Sequence, residues 1–407
     1  MMRNSILASA LAVSSMENLD GAGETAELNP ITEETTVAID EILEEVRDQG
    51  DSVEEHDSAV EELEGAAESL ESLIVSLESA IADGGMSPQA ADVHGRAMVN
   101  AVRRLPIDGS QYSVSVESFG GTGDKLQASM EAMEGAKDLL AKIWNAIKSA
   151  VQSAWAAVVK FITTLGKSGE ALVRAGGQLK ASANGIKGEP KAKTVAAGGV
   201  AKWLHTDGEL KGSVGSQLKL VVSNGSGVAK SAQAGSAGLK ELAGLIASGH
   251  YNAEGDRHAF ADKVAAALPT GKLPGGREID FGDNGMPKLV AKINLKDDAT
   301  EIATPNKAEL VSIGNEIVAV GKMIVDFDKK YFKDLEKSVN DFISKQDALV
   351  KKAEFSKEET DKVRAGLKEF KKFSSVARAC GPDYMSYAAN AAKAAFNFGK
   401  KALAAYN

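Results

Sequence analysis

The sequence predicts a mainly α-helical protein. An acidic helical-hairpin or coiled-coil segment comes first, then a helical domain with a glycine-rich middle and a small β-hairpin, and last a helical bundle. Three observations predict this. Apolar residues recur in alternating steps of three and four within residues 39–81 and follow the helical period within 139–162 and 310–335, the period of a helix face and not of a strand. Aromatic residues are 5% of a chain that is 43% hydrophobic, which suits thin helical layers better than an aromatic-packed enzyme core. Charge divides by position: residues 1–117 hold 25 Asp or Glu against 5 Lys or Arg, net −20, leaving +10 on the remainder of a chain whose total is −10.

The chain begins MMRNSILASALAVSS, where Arg3 followed by Ile6 to Val13 imitates a secretory signal. One basic residue and an apolar run broken by Ser9 make a poor core for such a signal, so a short docking helix is expected. Ile39, Ile42, Val46, Val53, Val60, Leu63, Ala67, Leu70, Ile74, Leu77 and Ile81 form a heptad seam flanked by Glu and interrupted at Gln49 and His56. Gly84-Gly85 ends it, and Ser87-Pro88 supplies an N-cap and first-turn proline for a helix running to Leu105. An antiparallel hairpin is expected. Glu-rich flanks would repel each other in a parallel homodimer, so the seam should pack internally or on a basic partner.

Behind the segment GSQYSVSVESFGGTG, Leu139, Leu140, Ile143, Ile147, Val151, Trp155, Val158 and Ile162 predict one long amphipathic helix. Between Gly166 and Gly276 glycine, alanine and serine dominate, so short helical patches are expected, with Leu218 to Val222 as a candidate strand. EIDF and KLVAKINL around Gly282-Asp283-Asn284-Gly285 read as a β-hairpin. Thr304-Pro305 should open a helix with its apolar face at Leu310, Ile313, Ile317, Val320, Ile324, Phe327, Tyr331 and Leu335. Ser356 and Glu359 form a capping box for a second helix ending at Gly381-Pro382, and an alanine-rich third finishes the chain. The divisions expected are 1–117, an acidic segment; 118–304, the long helix and mixed region; and 305–407, the bundle.

No reaction is suggested, and the chain reads as a structural protein, not an enzyme. LKLVVSNGSGVAKS imitates a phosphate-binding loop, but Ala229 and Asn224 stand where that motif requires glycines. His250 and His258, with Glu254 and Asp256 between them, match no recurrent zinc spacing. The single Cys380 excludes an intramolecular disulfide and suits packing at a helix end. Neither a cofactor nor a metal is expected. The most apolar stretch, Ile143 to Leu165, is broken by Lys148 and Lys160 below membrane length.

Turn formers enclose an alternating Ser-Val stretch at the charge boundary, which reads as accessible extended chain, the backbone a protease needs. With its acidic helical leader, the start LAVSSMENLDG, the tripeptide Ser115-Val116-Glu117 at that boundary and a basic helical remainder, the chain resembles the internal head proteins of phiKZ-like giant tailed phages. The resemblance implies that the acidic segment is a propeptide directing the protein into the assembling head. It also implies that a phage maturation protease cuts after Glu in a small-x-Glu tripeptide, here between Glu117 and Ser118. Ser129-Met130-Glu131 is the second candidate, while the copies at Ser52, Ser69, Ser76, Ser168 and Ser356 lie in or beside expected helices. Implied partners are prohead scaffold or capsid proteins, the protease, and packaged DNA, bound weakly without sequence preference through residues such as Lys329, Lys330, Lys333, Lys337, Lys371 and Lys372. The location implied is the head interior, with host cytoplasm before assembly. The mature remainder is expected to fold without its leader. The alternative reading is a secreted bacterial helical protein or effector with an N-terminal signal peptide.

Overall fold

A computed structural model describes residues 33–103, 105, 125–248, 250, 255–281, 287–293, 301–352 and 381–406. In chain order the elements are α1 (Glu33–Ala82), α2 (Pro88–Val102), α3 (Lys125–Asn184), β1 (Thr194–Ala196), α4 (Gly199–Leu204), α5 (Val214–Ser248), α6 (Gly255–Ala265), β2 (Lys272–Leu273), β3 (Arg277–Phe281), β4 (Pro287–Ala291) and β5 (Glu301–Ala303). They are followed by α7 (Lys307–Asp326), a π-helical turn (Phe327–Phe332), α8 (Lys333–Lys352) and α9 (Gly381–Ala404). The fold is mainly α, as the periodicity predicts.

Helix α1 has 50 residues and α3 has 60, so at about 1.5 Å per residue both far exceed the span of a small domain. They run antiparallel along each other. Gly50 of α1 lies beside Phe161 of α3, and beyond the C-terminal end of α1 the Met86 N–H donates to Ser129 near the start of α3. Two cores form along this pair. Leu63, Ala67, Leu70, Ile74 and Leu77 of α1 meet Met98 and Val102 of α2 and Leu139, Leu140, Ile143 and Ile147 of α3, building a three-helix arm. Ile39, Leu43, Val46 and Val53 instead join Trp155 to Leu179 of α3 in the body core, with α5, α7 and α9. His56, half-buried, stands between Val53 and Leu63, where one core gives way to the other. The charge boundary near residue 117 is therefore not a packing boundary.

The hairpin α1–α2 forms with the expected caps: Gly84 and Gly85 both take positive φ, and the Ser87 side chain accepts from the Ala90 N–H. The seam of α1, however, is covered mainly by α3, a partner supplied by the basic part of the same chain.

Helix α9 lies at the centre of the body. Tyr384, Met385, Ala388, Ala389, Ala391, Ala392, Ala395 and Phe396 are fully buried, and only a narrow polar stripe through Ser386, Asn390, Lys393, Asn397 and Lys400 is left half-buried. Gly381-Pro382 opens it, with proline in the first turn where its missing N–H costs nothing. The capping pair Ser356 and Glu359, Cys380, and Lys371 and Lys372 lie outside the described residues.

Five expectations change. Leu218 to Val222 is helix, not strand, because Val214, Leu218, Val221, Val228, Ala232, Leu239 and Leu242 continue one buried face through α5. Burial overrides the strand preference of the short β-branched run. Some of the glycines that suggested loops are instead contact points inside helices: a Cβ on Gly225 would strike the Met323 sulfur, and one on Gly238 the Phe260 ring, while Gly188, Gly208 and Gly212 take positive φ in turns and bends. The long helix likewise does not stop at Gly166 but continues to Asn184.

Helix α7 is capped by Asn306 and Glu309 in a reciprocal capping box, while Thr304 instead donates from its hydroxyl to the Ala192 carbonyl beside the β1–β5 pair. Finally, the π turn inserts a residue into the helical period, so the buried aromatic after Phe327 is Phe332, and Tyr331 is only half-buried. Phe332 stacks on Trp155 with ring centroids 5.6 Å apart.

The expected hairpin is β3 paired with β4, Ile279 facing Leu289, extended by the short strand β2. Its turn residues lie outside the described set.

Candidate processing and docking site

Ser115, Val116, Glu117 and Ser118 lie outside the described residues, between α2 and α3. Ser129, Met130 and Glu131 lie in the first turns of α3. Ser129 is fully buried and its Oγ accepts from the Met86 N–H at 2.8 Å, while Met130 is exposed. A bond there enters a protease cleft only after local unfolding of α3. The other copies within described helices are similarly held. Ser69 Oγ donates to the Gly65 carbonyl, Ser76 lies against His94, and buried Ser168 donates to the Leu165 carbonyl.

The solvent side of α1 carries Asp40, Glu41, Glu44, Glu45, Asp48, Asp51, Glu55, Glu61, Glu62 and Glu68, all exposed. This arrangement follows from the heptad pattern: once Ile39, Val46, Val53, Leu70 and Leu77 turn toward α3, the Glu-rich flanks must face water. At its N-terminal end α1 also meets the central helix. Asp40 pairs with Lys393 at 2.7 Å, and Lys400 Nζ donates to Thr36 Oγ1 at 2.6 Å. An exposed pair of this kind contributes at most about 1 kcal/mol, so the apolar seam fixes the helix and the charges orient it.

Of the lysines expected near DNA, Lys329, Lys330, Lys333 and Lys337 are exposed on the π turn and α8. Lys329 pairs with Glu170 at 3.6 Å and Lys330 with Asp326 at 3.1 Å. These contacts reduce the net positive face they present. The false phosphate loop is continuous helix, in which backbone N–H groups serve the helix and Ser231 Oγ donates to the Val264 carbonyl. His258 is exposed on α6, and the His250 N–H closes the end of α5 on the Leu245 carbonyl. Among the described residues no group of three or more His, Cys, Asp and Glu is arranged to hold a metal ion, and no helix is long and apolar enough to cross a membrane.

One cluster has no counterpart in the sequence reading. Arg277 lies over the rings of both Trp203 and Tyr387, 4.6 and 4.7 Å from their centroids, and donates to the Gly275 carbonyl. Burial draws its guanidinium below its ordinary pKa, and burial pushes the Tyr387 phenol far up while its hydroxyl donates to the Pro274 carbonyl. Beside them His205 is fully buried, with Nδ1 accepting from the Gly208 N–H at 3.1 Å. The proton is therefore on Nε2, which is buried with no hydrogen-bond partner among the described residues. These residues come from α4, β3 and α9, so only the fold brings them together; a Trp-Leu-His run carries no such signal.

Burial lowers the His205 pKa, and nearby Arg277 adds to this while Asp207 opposes it. The unfolded ring takes up a proton as pH falls through about 6.5, whereas the folded ring resists. Its contribution to stability is thus complete above that pH and declines below it. The urea midpoint should fall from about pH 7 to about pH 5, and His205→Asn should flatten that fall. An unchanged pH profile in the variant would refute the assignment.

Comparison with protein-family models matches residues 38–401 to the phiKZ-like phage internal head proteins. No curated protein and no solved structure matches the chain.

Proposed function

Since this chain belongs to the phiKZ-like phage internal head proteins, a structural component of the virion interior, we propose that its acidic segment docks it in the prohead. We propose also that the phage maturation protease then cuts between Glu117 and Ser118. The observation that carries the docking reading is the division of α1 into two faces. Its apolar face is occupied by α3, while its acidic face is exposed along the helix. A basic surface of a scaffold or capsid protein is the complementary partner, and like-charge flanks disfavour pairing with a second copy. Once packaged, the protein meets DNA through exposed lysines in a weak, salt-sensitive contact without sequence preference.

The docking test neutralises Glu41, Glu44, Asp48, Asp51 and Glu55 as Gln or Asn, leaving the apolar seam intact. Helix content should be unchanged and the number of packaged copies should fall; normal packaging would refute the docking reading. For processing, Glu117→Gln keeps the side-chain size and removes the charge. Particles carrying it should contain the uncut chain, whereas those with the natural residue should yield a mature N-terminus at Ser118. A start at Ala132 would move the cut to Glu131, and an intact N-terminus in natural particles would end the propeptide reading.

A further inference from the structure

We infer that the acidic segment stays bound after the cut. Helices α1 and α2 remain seated along α3 as the smaller piece of a noncovalent two-piece protein, and the face that α3 turns toward them is the binding site for residues 33–103. The inference rests on the proposed processing only for the position of the cut. Hydrolysis there takes up one water and leaves a carboxylate on Glu117 and an ammonium on Ser118. It alters no residue that holds the two pieces together.

Those residues are extensive and lie on both sides. From the acidic piece come Ile39, Val46, Val53, Leu70 and Leu77, each at most 7% exposed. From the other come Leu139, Ile143, Ile147, Val158 and Ile162, which are equally covered. The contact runs nearly the full length of α1 and enters both cores. Its ends are fixed by directional bonds, Met86 N–H to Ser129 Oγ at one and Asp40 to Lys393 at the other. Net charges of −20 and +10 favour the same association. Dissociation would expose two continuous apolar stripes on helices, a cost that the translational freedom gained on cutting must exceed. Processing therefore leaves the acidic charge on the particle-bound protein, and its later loss requires a competitor for the α3 face.

The test makes the cut without the phage enzyme. A recognition sequence for a site-specific protease replaces residues 111–116 in the full chain, and the uncut chain serves as reference. After cleavage the two pieces should co-elute in a one-to-one ratio in native buffer, at physiological and at raised salt, with helix content unchanged. They should separate in guanidinium chloride. Separate elution at physiological salt would overturn the inference. Co-elution at physiological salt that is lost at raised salt would also overturn it, because charge alone would then hold the pieces. An uncut chain in natural particles would refute the proposed processing while leaving this result standing.

Discussion

Alanine at Gly176 should lower stability by about 1–3 kcal/mol or more, whereas the same change at Gly65 should raise it by about 0.5–1 kcal/mol. The signs differ because the two helical glycines have opposite surroundings. At Gly176 a Cβ would sit 2.7 Å from the Gly314 carbonyl oxygen and 2.9 Å from Val318. The contact is reciprocal and repeats seven residues along: Gly314 faces the Gly176 carbonyl, and Gly169 and Gly321 face each other's carbonyls. Helices α3 and α7 thus touch backbone to backbone, and a methyl group forces them apart along a packed body core, since protein interiors do not yield. At Gly65, exposed on α1, a Cβ meets nothing within 4 Å, so only the backbone-entropy benefit of alanine is left. Urea midpoints of the two variants should move in opposite directions; a common direction would contradict this account of the crossing.

The second large effect concerns the chain lacking residues 1–117. Sequence reading expects it to fold independently, but the structure gives α3 one apolar face that only α1 and α2 cover over the arm. Leu139, Leu140, Ile143 and Ile147 would lose most of their cover. At about 1.5–3 kcal/mol for each fully buried large side chain, the loss is on the order of 10 kcal/mol. That is comparable to the whole stability of a typical domain, about 5–15 kcal/mol. The truncated chain should aggregate or bind a hydrophobic dye, and adding residues 33–103 as a separate chain should restore a cooperative transition. A truncated chain that is monomeric and unfolds at the midpoint of the full protein would overturn this.

The same packing means that the acidic segment and the basic remainder are one folding unit. Failed packaging of a truncated chain would report misfolding as readily as lost docking, so surface charge substitutions are the cleaner probe. The family match, spanning residues 38–401 across the charge boundary, also sets the secreted-protein alternative aside in favour of the phage head.

The features legible in the chain alone are local and periodic. The seam of α1, the caps at Ser87 and Pro88, the long run of α3, the pairing of β3 with β4 and the face of α7 up to Phe327 follow from side-chain spacing and turn chemistry within a few residues of each position. Tertiary structure decided what spacing leaves open. It chose α3 as the cover of the acidic seam, because an apolar stripe specifies that it will be buried and not by which partner. It made helix of a glycine-rich stretch that reads as loop, because glycine's backbone cost is offset where its missing Cβ admits a neighbour's ring or carbonyl. It shifted the buried aromatic from Tyr331 to Phe332, since one inserted residue in a π turn changes which side faces the core. It also assembled Trp203, His205, Arg277 and Tyr387, residues far apart in the chain that meet only because α9 lies at the centre of the body.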